Sequence, residues 1–216
     1  MRTLTSLFEG AGALRVLLLG AHCDDIEIGC GGTLLRLAAT RELEVLWLVF
    51  CSTPERAEEG RRSAAQFLRG VGKSRVIVGS HRDGFLPYEG GAVKDEFESF
   101  KNQFQPDVVF THAREDRHQD HRIVSELTWN TWRDHLILEY EIPKYDGDLG
   151  SPNVYSPLSA AILERKIELV LGGFPSQANK TWFTADLFRA VARIRGMECN
   201  AAECHAEAFN GRKLVL

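Results

Sequence analysis

Apolar residues along this chain come in two rhythms. Residues 16–20 (VLLLG), 43–50 (LEVLWLVF), 75–79 (RVIVG), 107–112 (DVVFTH) and 136–140 (LILEY) are short, nearly continuous apolar runs. Such runs predict strands covered on both faces. Between them, apolar positions are spaced as on one side of a helix. The spacing predicts a helix over 33–40, with Leu34, Leu35, Leu37 and Ala38 on one side, opened by a Gly29-Cys30-Gly31-Gly32 turn. Further helices are predicted over 55–70, around 93–104 where Pro106 stops the run, and over 121–133. Strand–helix alternation through about residue 140 predicts an α/β fold, a Rossmann-like three-layer sandwich with a mostly parallel sheet. Residues 141–159, rich in Pro, Gly, Asp, Asn and Tyr, read as one long loop, followed by helices near 163–171 and 185–195. No repeat or long linker divides the chain, so residues 1–216 are expected to form a single domain.

Composition narrows the partners. A net charge of −4 gives no broad basic field for nucleic acid or an anionic membrane. The amino-terminal stretch has no cationic flank followed by a long apolar run, so neither a signal nor a membrane span is expected. Five unevenly spaced cysteines do not read as a disulfide framework, which favours a reducing cytoplasm. The sequence leaves an oligomer open.

Two segments carry the chemistry. Residues 21–32 (AHCDDIEIGCGG) follow the first strand, and residues 112–121 (HAREDRHQDH) follow the fourth. Both lie at carboxyl ends of strands, where open α/β sheets bind ligands. Together they offer His22, Asp24, Asp25, His118, Asp120 and His121. Imidazole with carboxylate suits Zn²⁺, and three ligands leave one position open for water. Taken singly, Asp24 or Asp25 could cap the following helix. The glycine run lacks the G-x-G-x-x-G spacing of a dinucleotide loop, and two carboxylates ahead of it would repel phosphate. His112 reads as structural, Trp129 and Trp132 as core, and Cys199, Cys204 and His205 match no common metal spacing. Glu55 and Arg56 stand on the same rim, either as substrate contacts or as a solvated helix start.

The first segment resembles the A-H-P-D-D … G-C-G-G-T signature of the PIG-L/LmbE-like zinc-dependent N-deacetylases, and His118-Gln119-Asp120-His121 resembles their H-P-D-H signature. Asp83-Gly84, Ser176-Gln177, Arg195-Gly196 and residues 206–209 (AEAF) add weaker matches. The resemblance implies that His22, Asp25 and His121 bind Zn²⁺, that Asp24 is the general base, and that protonated His118 stabilises the oxyanion. It further implies that Asp120 orients His118. Cys23 and Gln119 stand where the family usually has proline. Cys23 reads as a packed thiol, because the His/Asp set already suffices. The implied reaction is hydrolysis of the N-acetyl group of a small-molecule amino sugar, glycoside- or nucleotide-linked. The 141–159 segment is expected to wall the pocket, with Tyr140, Tyr145 and Tyr155 able to stack on a ring. Two other readings of the same residues stay open: a metal-dependent phosphoester hydrolase, which usually needs two metals and more carboxylates, and a non-catalytic sugar- or nucleotide-binding module.

Overall fold

The computed structural model describes residues 12–214. Most of the amino-terminal stretch read for a signal, residues 1–11, lies outside them. Seven strands and six α-helices follow in the order β1 (Leu14–Gly20), α1 (Asp25–Thr40), β2 (Leu43–Cys51), α2 (Pro54–Phe67), β3 (Lys73–His81), α3 (Gly90–Gln103), β4 (Val108–His112), α4 (Gln119–Thr131), β5 (Leu136–Tyr140), β6 (Val154–Pro157), α5 (Ala160–Gly173), α6 (Ala185–Glu198) and β7 (Ala206–Gly211). A single-turn 3-10 helix, Leu86–Glu89, precedes α3. No helix among the described residues is long and apolar enough to cross a membrane.

The strands form one sheet in the order β3-β2-β1-β4-β5-β7-β6. Strands β1 to β5 pair in parallel. β7 runs antiparallel to both β5 and β6. Side chains of β1 point alternately to the two faces: Val16 and Leu18 join one apolar cluster, Leu17 and Leu19 the other. The first cluster is closed by residues of α1, α2, α5 and α6, the second by residues of α3 and α4. These are the three layers expected of a parallel sheet that must cover both faces. β1 lies between β2 and β4, so the chain reverses its direction across the sheet there. The loops after β1 and β4 therefore face each other across the switch-point crevice.

Two expectations need correction. The first helix begins at Asp25, eight residues before the predicted start at residue 33, and the glycine run lies inside it. Packing explains this. A Cβ on Gly29 would stand 2.2 Å from the Tyr140 ring, and one on Gly32 2.6 Å from Leu158. The glycines let α1 lie close on β5 and its neighbours, so they do not end the helix. Second, the 141–159 segment is a loop only in its first part, because residues 154–157 form β6. β6 and β7 are short and carry Pro, Asn and Glu, weak strand formers. They are held by pairing with each other and with β5.

Candidate active site

The turn between β1 and α1 places its three polar residues differently. The Asp25 carboxylate turns back to accept the His22 backbone N–H at 2.6 Å. Asp24 occupies the N-cap position of α1 but makes no capping hydrogen bond, so its carboxylate is left for other work. Across the crevice, the His118 side chain caps α4: the Asp120 N–H donates to His118 Nδ1 at 3.2 Å.

His22, His121 and Asp25 converge. His22 Nδ1 and His121 Nε2 stand 3.2 Å apart. Asp25 Oδ2 is 3.4 Å from the former, and Asp25 Oδ1 is 3.5 Å from the latter. Each imidazole is backed by carboxylate on its other nitrogen. His121 Nδ1 meets Asp116 Oδ2 at 2.9 Å. His22 Nε2 meets Asp83 Oδ1 at 3.1 Å and Asp120 Oδ2 at 3.3 Å. With both rings neutral and their protons turned toward those carboxylates, as a bound metal would require, the two facing nitrogens would present lone pairs to each other. Such an arrangement calls for a cation between them, and carboxylate–histidine–metal chains have this form. Zinc–nitrogen bonds of ~2.0–2.1 Å in a tetrahedron set ligand atoms roughly 3.3–3.4 Å apart, close to the three observed separations. Three overlapping donor groups can hold a metal among the described residues: His22–His118–His121, His22–Asp83–His118–Asp120 and Asp25–His112–His121. His22 and His121 recur because they stand at the overlap.

The electrostatics favour positive charge at this point. Burial lowers the His22 pKa, but hydrogen bonds to Asp120 and Asp25 and the Asp25 charge raise it well above the ordinary histidine value. Burial and the neighbouring His112 push His121 down to about 4, so its lone pair is available at neutral pH. Burial opposes ionisation of Asp25, yet His121 and His112 hold its pKa well below the carboxylate range.

Asp24 is placed apart from this set. Its Oδ1 meets Arg56 Nη2 at 2.8 Å. Arg56 is in turn held by Glu59 Oε2 and by Ser176 Oγ, each at 3.2 Å, and lies over the Phe174 ring. Arg56 is thus bound to the floor of the site and is not a solvated helix start. Burial raises the Asp24 pKa and Arg56 restrains the rise. His118 lines the same cavity. Burial and the charge of His22 depress its pKa, and the Asp120 N–H donating to Nδ1 leaves the proton of the neutral ring on Nε2. Asp120 stands beside both His118 and His22. Its carboxylate accepts from the Gly84 N–H at 2.6 Å and the Leu86 N–H at 3.1 Å and faces His22. Its hydrogen bond to His118 is made by its backbone N–H. Gly84 sits at φ +79°, which a side chain would resist, and this turns its N–H to Asp120.

Around these groups lies a cavity of about 840 Å³. Its far wall comes from the loop after β5, through Ile142, Lys144, Tyr145 and Asp146. The three tyrosines separate. Tyr145 is exposed at this wall. Tyr140 is buried in the core and donates to the Leu19 carbonyl. Tyr155 lies on β6 and donates to the Pro152 carbonyl, away from the cavity. Trp132 is core and Trp129 is half-buried, donating to Glu139. His112 is fully buried, accepts the Ala21 N–H at 2.9 Å and stacks on His121. Burial pushes the Cys23 thiol up to about 12, which keeps it protonated and packed against Gly60. Gln119 donates to the Gly84 carbonyl, tying together two loops where proline would have stiffened one.

Asp116, Lys144 and Glu59 carry no signal in the sequence that singles them out. Asp116 stands in the second chemical segment, five residues before His121, and only its position behind that ring discloses it. The weaker matches find their reasons here as well. Ser176 donates to Glu59 at 2.6 Å and so holds the Arg56 support. Arg195 grips Glu141 at the base of the wall loop. Glu207 accepts from the Gly32 and Thr33 N–H groups within α1 and pairs with buried Lys166.

The chain and its fold are similar to known proteins. The family model described as PIG-L: GlcNAc-PI de-N-acetylase matches residues 17–132, which include both chemical segments. A protein of Escherichia coli K12 called uncharacterized deacetylase YaiS is 31% identical over 141 residues, covering 59% of this chain and 74% of that protein. The fold resembles that of N,N'-diacetylchitobiose deacetylase from Pyrococcus horikoshii, with a TM-score of 0.71 at 21% identity, over 96% of this chain and 86% of that one. It also resembles the conserved protein TT1542 from Thermus thermophilus, with a TM-score of 0.70 at 23% identity, over 94% and 96% of the two chains. With the family model matched across more than half its length, this chain belongs to the PIG-L family of de-N-acetylases.

Proposed function

We propose that this protein is a zinc-dependent hydrolase that removes the N-acetyl group from an amino sugar. The observation that carries this reading is the pair of carboxylate-backed imidazoles, His22 and His121, facing each other at 3.2 Å beside Asp25. These three residues would hold the metal. A zinc ion supplies Lewis-acid polarisation of a carbonyl and lowers the pKa of a water toward ~7. Asp24, outside the ligand set, takes the proton from the attacking water as the carbon–oxygen bond forms. It then returns a proton to the departing nitrogen as the carbon–nitrogen bond breaks, giving acetate and the free amine. Burial raises its pKa toward the working range of a general base. His118 donates its Nε2–H to the oxygen that becomes negative. Asp120, Asp83 and Asp116 fix the two imidazoles from behind.

The family membership supports the de-N-acetylation, and the names of the relatives, chitobiose deacetylase among them, support a sugar amide as substrate. The test is a panel of N-acetylated amino sugars incubated with zinc-reconstituted protein and assayed for free amine. Amine release from at least one, abolished by a chelator and restored by zinc, is expected. Zinc binding without amine release from any substrate would refute the activity. A zinc titration ending at two ions per chain would favour the phosphoester reading.

A further inference from the structure

Helix α1 begins without the usual anchor. A capping side chain ordinarily ties down the free N–H groups of a first turn. Here Asp24 makes no capping hydrogen bond, and the Asp25 carboxylate turns back to the His22 N–H. The helix is gripped one turn further on, by side chains from other elements. Lys166 of α5 donates to the Ile28 carbonyl at 2.6 Å. Glu207 of β7 accepts the Gly32 N–H at 2.8 Å and the Thr33 N–H at 2.6 Å. The two side chains meet each other at 2.6 Å. In a regular helix the Ile28 carbonyl is the partner of the Gly32 N–H. The ion pair therefore stands on one rung of the ladder, its ammonium on the carbonyl and its carboxylate on the N–H. Gly32 admits it, since a Cβ there would lie 2.9 Å from Glu207 Oε1. Helix starts attract a carboxylate to successive N–H groups, and helix ends attract an ammonium to a carbonyl. The pair thus marks off the turn that carries Asp25 from the rest of α1.

Stability alone does not call for charge at this place. Lys166 and Glu207 are each 6% exposed, and a well-packed apolar pair of similar volume often serves a fold as well as a buried ion pair. What the charges add is direction, through short charge-assisted bonds to three backbone groups of α1. The Ile28 N–H in turn donates to the Asp24 carbonyl at 3.0 Å. The Ile28 side chain lines the cavity together with Asp24 and Asp25. From this grip on an uncapped helix start, we propose that Lys166 and Glu207 are positioning residues for the de-N-acetylation, a role that rests on the reading given above. They fix the set of the first turn of α1, so that Asp24 stays turned to the proton it moves and Asp25 to the imidazoles. Both act through those two aspartates.

The experiment uses the double variant Lys166→Met/Glu207→Met, in which Ile28, Gly32 and Thr33 keep only helical partners. Zinc affinity is measured by competition with a chromogenic chelator. On the same preparations, kcat and KM are measured on an N-acetylated amino sugar at saturating zinc, and Tm is recorded. The Tm should stay near that of the parent, because an apolar pair replaces the charges. Zinc affinity should fall roughly 10–100-fold, as when the support behind a ligand is lost. The kcat should fall by ~10–100-fold with KM little changed, the effect of displacing a group that acts in the transition state. Glu207→Gln keeps the shape and one accepting oxygen, so its losses should lie between those of the parent and the double variant. It decides the question should the double variant not fold. Parental zinc affinity and kcat in the folded double variant, or in Glu207→Gln where the double variant does not fold, would overturn the proposal. A lowered Tm with both of these unchanged would do the same, since that marks a merely structural pair. Weakened zinc binding in the variants, with no amine release by the parent from any amino sugar, would uphold the hold on Asp25 and refute the de-N-acetylase reading.

Discussion

The two aspartates in sequence at residues 24 and 25 have opposite surroundings, and this decides what each can do. Asp25 accepts a backbone N–H and faces two imidazoles, which hold it ionised. Asp24 faces a guanidinium and carries a raised pKa. The ligand roles can be separated by elemental analysis of purified variants. His22→Ala and His121→Ala should each lose most of their zinc, while Cys23→Ser should keep it, because the thiol is packed and protonated. Normal zinc in His121→Ala would contradict the ligand assignment, and zinc loss in Cys23→Ser would restore the thiolate. At this scale the motif residues are legible in the sequence, because His and Asp at strand ends have few other uses in such a pattern. Asp116 and Glu59 are not, because a supporting carboxylate bears no spacing signature and is defined by the ring or guanidinium it backs. The hydrogen bond that the His118 ring accepts escapes the sequence for a related reason. The backbone N–H that fixes its tautomer belongs to a helix start that only the folded chain reveals.

Elements carry these residues, and two of them do so through contacts that propensity does not encode. Helix α1 runs through a glycine cluster because β5 and β7 side chains occupy the space of its missing Cβ atoms. Gly29→Ala should cost about 1–3 kcal/mol or more, as overpacking does when a ring cannot yield, and Tyr140 is fixed by its bond to the Leu19 carbonyl. Denaturant unfolding checks this, and an unchanged midpoint would show that α1 lies farther from the sheet than described. The loop after β5 is tied to the proposed metal ligands by Lys144, whose ammonium bridges Asp148 and Asp116. Asp116 in turn backs His121. Lys144→Met should weaken zinc binding by roughly 10–100-fold, the usual effect of removing a support behind a ligand, and Lys144→Arg should restore part of it. Competition with a chromogenic chelator measures both; identical zinc affinity in all three proteins would sever the loop from the site. The central strands are readable because buried parallel strands are continuously apolar. The boundary of α1 and the strands β6 and β7 are hidden because glycine, proline and asparagine usually mark turns.

At the scale of the molecule, the sheet order puts the two chemical loops on either side of one crevice; the alternation of strands and helices predicts the parallel sheet but leaves the neighbour of β1 open. The antiparallel edge is not foreseeable in the same way, since it depends on the chain returning after α6. The fold also stores pH dependence outside the proposed ligand set. His81, at the end of β3, sits between Glu89 at 2.5 Å and Glu96 at 2.9 Å. Burial alone would lower its pKa, but the two carboxylates raise it overall. A raised histidine pKa stabilises the fold fully below the unfolded value of ~6.5 and loses that contribution as pH rises through the folded value. His81→Gln should therefore lower the Tm more at pH 5.5 than at pH 9; an equal loss at both would mean that the contact is not ionic.

The central claim is that one carboxylate holds the metal while its neighbour moves the proton. The most direct measurement is zinc content and single-substrate turnover on the same preparation of Asp24→Asn, beside the parent. Asparagine keeps the shape of the side chain but offers no basic oxygen. The account predicts one zinc bound as in the parent and a loss of kcat of ~10²–10⁴-fold, the usual range for a general acid–base group. Full zinc with near-parental turnover would contradict it.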